Sequence, residues 1–118
     1  METPFSLEQF IRNFCELDMP AFEIPDERDP VAQRTLHVDV ARTKSGILTQ
    51  GEKDDLEIML TYYCKTENHT YKQGMNEILV PFLLMNREGI PRHLIYTCFS
   101  KFIEKFISSL FRDDVRPI

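Results

Sequence analysis

The chain has 118 residues, of which 42% are hydrophobic and 28% charged, a composition typical of one folded domain rather than of a disordered segment. With 14 basic and 19 acidic residues the net charge is −5, which argues against general nucleic-acid binding. The longest apolar run, residues 78–85, is much shorter than the roughly 20 residues that cross a membrane, so no insertion is predicted.

The cysteines and histidines give no sign of a disulfide framework or a metal site. Cys15, Cys64 and Cys98 are odd in number and lie in apolar stretches, which favours a reducing, cytoplasmic compartment. The three histidines are dispersed, and no phosphate-binding loop, dinucleotide fingerprint or zinc-protease motif is present. We therefore expect no cofactor or metal of the chain's own.

Helical periodicity dominates, and the first two predicted helices begin at recognisable capping residues. Ser6, with Gln9 three residues further on, predicts a capping box at the start of the first helix. Asp29-Pro30 is typical of an N-cap followed by proline at the first helical position. The second helix is predicted to run from there to about Arg42.

Thr49 and Glu52 predict a second capping box, at the start of the third helix. A fourth helix should begin near Gly74, and Pro81 within it should kink the helix or force a local break. The fifth helix should begin at Pro91.

Apolar pairs recur every four residues along the fifth helix, from residues 94/95 to 110/111. Each step turns the apolar stripe by about 40°, so this helix should touch several others. The predicted fold class is all-α, a multi-helix bundle. Little sequence follows this apolar helix, so we expect residues 1–118 to form a single, incomplete domain.

Two polar clusters lie at the boundaries of apolar helices. The first is Leu36-x-x-Asp39-x-x-Arg42-Thr43, in which Asp39 and Arg42 share a helix face because they are three residues apart. Arg42 lies 31 residues before Gln73, about the length of a helix hairpin. The third helix could therefore carry the chain out and back, placing both side chains at one end of the bundle.

The second cluster is Tyr71-Lys72-Gln73-Gly74, which is followed by Met75-Asn76 and an apolar helix. It matches a YxQG motif, and the first cluster is similar to an IxxDxxR motif with leucine in place of isoleucine. In this order and spacing the two resemble the TBC domain of Rab GTPase-activating proteins, over about residues 29–112. Two departures are noted: the chain has no tryptophan for an Arg-x-x-x-Trp element, and Lys44 replaces the apolar or aromatic residue often found after the first motif.

The resemblance implies an all-helical fold and a partner, a Rab-family small GTPase that carries the GTP and Mg²⁺. It implies that Arg42 is an arginine finger and Gln73 a glutamine finger, with Asp39, Tyr71 and Gly74 in supporting roles. The chain would be a GTPase activator rather than an enzyme with its own substrate pocket. It would be cytoplasmic, peripheral on endomembranes through the GTPase, and would hold the N-terminal portion of the domain.

Other interpretations of the same residues remain open. Arg42 could be a cation that favours the negative end of its helix dipole, and Gln73-Gly74 could be an ordinary turn. Asp39 with Arg42 could be a surface ion pair of under about 1 kcal/mol. The chain could also be a non-catalytic helical module that binds a GTPase or another protein. A further alternative for the whole chain is a membrane-surface or self-associating helix bundle that exposes its fifth helix.

Overall fold

The computed structural model describes residues 21–107, and helices account for most of this segment. The four α-helices are α1 (Arg34–Arg42), α2 (Gln50–Thr66), α3 (Met75–Leu84) and α4 (Arg92–Phe102). A 3₁₀ helix, Met85–Glu88, follows α3, and a π-helical turn, Ile103–Ile107, continues α4. No strand forms within residues 21–107, which confirms the all-α prediction. The helix predicted from Ser6, and the fifth helix beyond residue 107, lie outside the described residues.

α1 begins later than predicted and ends where predicted. The Asp29 carboxylate accepts the Ala32 N–H (3.2 Å) and the Asp29 carbonyl accepts the Gln33 N–H (2.7 Å), so these residues close a local turn. Gln33 then adopts φ −110°, ψ 54°, and the helix starts only at Arg34, not at Pro30. At the other end Thr43 is extended, with ψ 120°, so the helix ends at Arg42.

α2 packs against both α1 and α3 and starts with the predicted capping box. The Thr49 hydroxyl accepts the Glu52 N–H (3.1 Å), and the Glu52 carboxylate accepts the Thr49 N–H (2.9 Å). These reciprocal bonds satisfy two of the donors that a helix start leaves free. The spacing of four apolar residues in the sequence predicts one face of this helix, and all four are buried: Leu56, Met59, Leu60 and Tyr63.

α3 continues through Pro81, so the predicted local break does not occur. Proline removes the hydrogen bond to the carbonyl four residues earlier, here that of Glu77. Both Pro81 and Glu77 are exposed, so the unpaired carbonyl lies on the solvent side of the helix. The break instead follows Leu84, where the 3₁₀ helix begins.

α4 packs against α3 and reaches α2, as the rotating apolar stripe predicts. Leu94, Ile95, Cys98 and Phe99 are all buried. The Phe99 ring lies 5.4 Å from the Tyr63 ring of α2 and 6.3 Å from the Phe82 ring of α3, measured between ring centroids. A single side chain therefore joins three helices in the core.

Candidate functional site

The structure brings the end of α1 and the loop before α3 together around one buried side chain, Asn76. The Asn76 Nδ2 donates to the Thr43 hydroxyl (2.8 Å), and the Asn76 Oδ1 accepts the Gly74 N–H (3.1 Å). Thr43 directly follows Arg42 in the chain, and Gly74 directly follows Gln73. One amide group thus joins the two segments that carry the sequence-predicted arginine and glutamine.

A second contact between the same segments involves Tyr71 and Asp39. The Tyr71 hydroxyl lies 2.8 Å from Asp39 Oδ2 and 3.0 Å from Asn76 Oδ1. A hydroxyl has one proton to donate, and the charged carboxylate is the stronger acceptor. Burial and the bond to Asp39 raise the pKa of Tyr71 far above its usual value. Tyr71 therefore remains a protonated donor that ties the loop to α1.

The backbone of Arg42 is held on both sides by residues from other helices. On one side the Lys53 ammonium group, from α2, donates to the Ala41 carbonyl (2.9 Å) and to the Ser45 hydroxyl (3.1 Å). On the other side the Thr43 hydroxyl donates to the Asp39 carbonyl (2.6 Å) while it accepts from the Asn76 amide. Carbonyls at a helix C-terminus lack partners within the helix, and a cation there is electrostatically favourable.

The side chains of Arg42 and Gln73, in contrast, have no partners in the part of the chain that the structure describes. Both residues are exposed, and neither makes a hydrogen bond or ion pair within residues 21–107. The interpretation of Asp39 and Arg42 as a surface ion pair is therefore wrong, since the Asp39 carboxylate is bound by Tyr71 instead. The guanidinium of Arg42 and the carboxamide of Gln73 are thus both exposed, and each residue directly precedes one that bonds to the buried Asn76 amide.

Gly74 supports this arrangement through its backbone conformation. It is the N-cap of α3 and has φ 110°, ψ −26°, a region that side-chain-bearing residues rarely adopt. This turn directs the chain from Gln73 into α3, where the Ile78 N–H donates to the Gly74 carbonyl (3.2 Å). Only glycine makes this entry into the helix without strain.

Thr43 and Asn76 lie beside the two motifs, but the sequence predicted a role for neither. The signal for Asn76 is a polar amide at the second position of a largely apolar helix. A buried amide needs hydrogen-bond partners, and in this chain they come from a turn and from another helix. The signal for Thr43 is weaker, because a threonine after a helix end is common.

Other polar groups of the described segment lie apart from this site. The His37 imidazole bonds to the buried Glu57 carboxylate, with Nδ1 3.0 Å from Oε2, beside a cavity also lined by Arg28 and Lys53. Across residues 21–107 no three His, Cys, Asp or Glu side chains are grouped to hold a metal ion. In the same range, no helix is both long enough and apolar enough to cross a membrane.

Comparison with known protein families assigns the chain to a class. The family model of the Rab-GTPase-TBC domain matches residues 20–117. Because this match covers most of the sequence, the chain belongs to the Rab-GTPase-TBC domain family. No curated protein and no solved structure gives a significant match. Membership implies a GTPase-activating role with a Rab GTPase as partner.

Proposed function

We propose that this chain accelerates GTP hydrolysis by a Rab-family small GTPase and inserts two side chains into the partner's active site. Arg42 is the arginine finger and Gln73 the glutamine finger. The observation that carries the proposal is the single Asn76 amide, which bonds to Thr43 and Gly74, the residues that directly follow the two fingers, while Arg42 and Gln73 are exposed and have no partner within residues 21–107. GTP and Mg²⁺ belong to the partner. The chain acts in the cytoplasm and meets endomembranes only through the GTPase.

The role of Arg42 follows from the charge that develops during phosphoryl transfer. Negative charge spreads over the γ-phosphate oxygens in the transition state, and a guanidinium offers a permanent charge with a rigid fork of donors. An arginine finger contributes a factor of about 10³–10⁵ in rate, or roughly 4–7 kcal/mol of barrier. An arginine already paired within its own protein would first have to give up that partner, and Arg42 has none within residues 21–107.

The role of Gln73 follows from the fact that a carboxamide contains both a hydrogen-bond acceptor and a donor. Its oxygen accepts a hydrogen bond from the attacking water while its NH₂ group donates to a phosphate oxygen. Orienting the water in line with the leaving group is the second requirement of the reaction. Asp39, Tyr71 and Gly74 do not touch the nucleotide in this proposal. They hold the loop that presents Gln73 against the end of α1.

Single-turnover GTP hydrolysis with a panel of Rab proteins tests the proposal. We expect the chain to accelerate hydrolysis by at least one of them, Arg42→Ala to lower the acceleration by about 10³-fold or more, and Gln73→Ala by about 10²–10³-fold. Both variants should retain affinity for the GTPase bound to a non-hydrolysable GTP analogue within a few-fold. Arg34→Ala removes an exposed arginine from the other end of α1 and should behave like the parent.

Two outcomes would contradict the proposal in different ways. If the Arg42→Ala chain accelerates hydrolysis as well as the parent, the finger assignment is wrong. If a Rab protein binds the parent chain but its hydrolysis rate does not rise, the chain is a non-catalytic binding module.

A further inference from the structure

We infer that Asn76 is a positioning residue that couples the two fingers, acting through Thr43 on the arginine side and through Gly74 on the glutamine side. The consequence for GTP hydrolysis rests on the proposed function. The coupling itself is a property of the folded chain and can be measured without a GTPase.

Both ends of the Asn76 amide bond to residues that directly follow a finger residue in the chain. Its NH₂ group donates to the Thr43 hydroxyl, 33 residues earlier in the chain, and its oxygen accepts the Gly74 N–H. The amide is planar, so its oxygen and nitrogen cannot move independently. A shift of the α1 end at Thr43 is therefore transmitted to Gly74, one peptide unit from Gln73.

The link through Asn76 is buried. Asn76 is 6% exposed and Thr43 2% exposed. Water therefore has little access to this site, and loss of the bond between them would leave a buried polar group unsatisfied at a substantial free-energy cost. The Lys44–Glu77 ion pair also joins α1's end to α3, but its charged atoms are 3.5 Å apart and both side chains are about half exposed. Exposed pairs of this kind contribute little. The buried amide is the stronger of these two links.

The link depends on asparagine at position 76. An aspartate at position 76 would lose the donor to Thr43 and would place a second carboxylate against the Tyr71 hydroxyl, beside Asp39. A leucine would leave both Thr43 and the Gly74 N–H without this partner. Asparagine alone offers an acceptor toward the loop and a donor toward α1 on one short side chain.

Amide hydrogen exchange on the 118-residue chain tests the coupling directly. Thr43→Val keeps the side-chain shape and removes the hydroxyl, so we expect exchange within residues 71–74 to accelerate about tenfold or more, although the substitution is about 30 residues away. Thr43→Ser keeps the hydroxyl and should restore slow exchange. Thr61→Val is the matched control, since Thr61 is equally buried and its hydroxyl has no hydrogen-bond partner within the described residues.

Unchanged exchange at residues 71–74 in Thr43→Val would overturn the coupling. If exchange in α4 also rises, the substitution has destabilised the whole chain, and the comparison is repeated with Thr43→Ala, which removes the hydroxyl without placing a methyl group against the Asn76 amide. Unchanged exchange in that variant would overturn the coupling equally.

Kinetics with the Rab protein that the parent accelerates most tests the positioning role. A misplacement of about 1 Å costs up to about 10²-fold in rate, so Thr43→Val should lower kcat by about 10- to 100-fold and change KM by less than about threefold. Thr43→Ser should recover kcat. A Thr43→Val chain with the parent's kcat would overturn the positioning role and leave the proposed function intact. Loosened exchange in a chain that accelerates no Rab protein would instead contradict the proposed function and leave the coupling intact.

Discussion

Glu52 takes part in two interactions at once, and its acidity reflects both. Its carboxylate accepts two bonds from the Arg87 guanidinium, each 2.6 Å long, and one from the Thr49 N–H. The bonds from Arg87 chiefly, with the Thr49 N–H second, lower the pKa of Glu52 from its ordinary 4.5 to about 2. The charged form is thus favoured by folding, and the pair joins the start of α2 to the 3₁₀ helix after α3.

The depressed pKa makes part of the stability dependent on pH. Because the folded pKa lies below the unfolded one, the contribution of Glu52 is complete above pH 4.5 and is lost as the pH falls toward 2. We expect Glu52→Gln to lower the free energy of unfolding by about 1–2 kcal/mol at pH 7, a modest value because the pair is partly exposed. Urea unfolding between pH 7 and pH 2 measures it. If the difference in free energy of unfolding between the parent and Glu52→Gln stays constant below pH 4.5, the lowered pKa of Glu52 is not the source of this stability.

At the scale of the helices, α2 organises its neighbours through its first turns. The capping box at Thr49 starts the helix, and Lys53, one turn further on, holds the C-terminal carbonyl of α1 at Ala41. The start of α2 and the end of α1 are therefore linked by a hydrogen bond. A weakened cap should therefore loosen the α1 backbone next to Arg42 as well as the start of α2.

Replacing the cap tests this view. Thr49→Ala removes the side-chain acceptor for the Glu52 N–H and should lower the free energy of unfolding by about 1 kcal/mol, as caps of this kind do. Thr49→Ser keeps an acceptor in the same place and is the matched control. Urea denaturation of both variants measures the effect, and equal losses would show that the hydroxyl is not responsible.

At the scale of the whole molecule, the described core depends on aromatic packing between α2, α3 and α4. Phe99 is fully buried and makes edge-type contacts with Tyr63 and Phe82. Such contacts add to the free energy gained from burying the ring. The end of α1 and the loop at Gln73 rest on helices that this cluster holds together.

Phe99→Ala should therefore destabilise the whole described segment. Loss of a buried phenylalanine ring lowers the free energy of unfolding by about 3–5 kcal/mol, a large part of the 5–15 kcal/mol typical of a domain. Phe102→Ala removes the same ring from a half-buried position on the same helix and should have a clearly smaller effect. Thermal unfolding of the two variants makes the comparison, and a loss at Phe99 no larger than that at Phe102 would contradict this account of the core.

Local chemistry explains which parts of the fold were predictable. The Thr49–Glu52 box and the end of α1 at Arg42 involve residues only a few positions apart, so the sequence pattern contains all the partners. The start of α1 was predicted wrongly because Asp29 closes a turn of its own before the helix, and the pattern alone does not separate such a turn from a cap.

The all-helical class, most of the helix starts and the two motifs that contain Arg42 and Gln73 were predictable from the sequence. The bond of Asp39 to Tyr71 rather than to Arg42, and the link from Thr43 through Asn76 to Gly74, were found only in the folded structure. The difference lies in how far apart the partners are along the chain. Contacts within one helical turn follow from spacing, whereas a bond across 33 residues exists only once α1 and α3 have packed together.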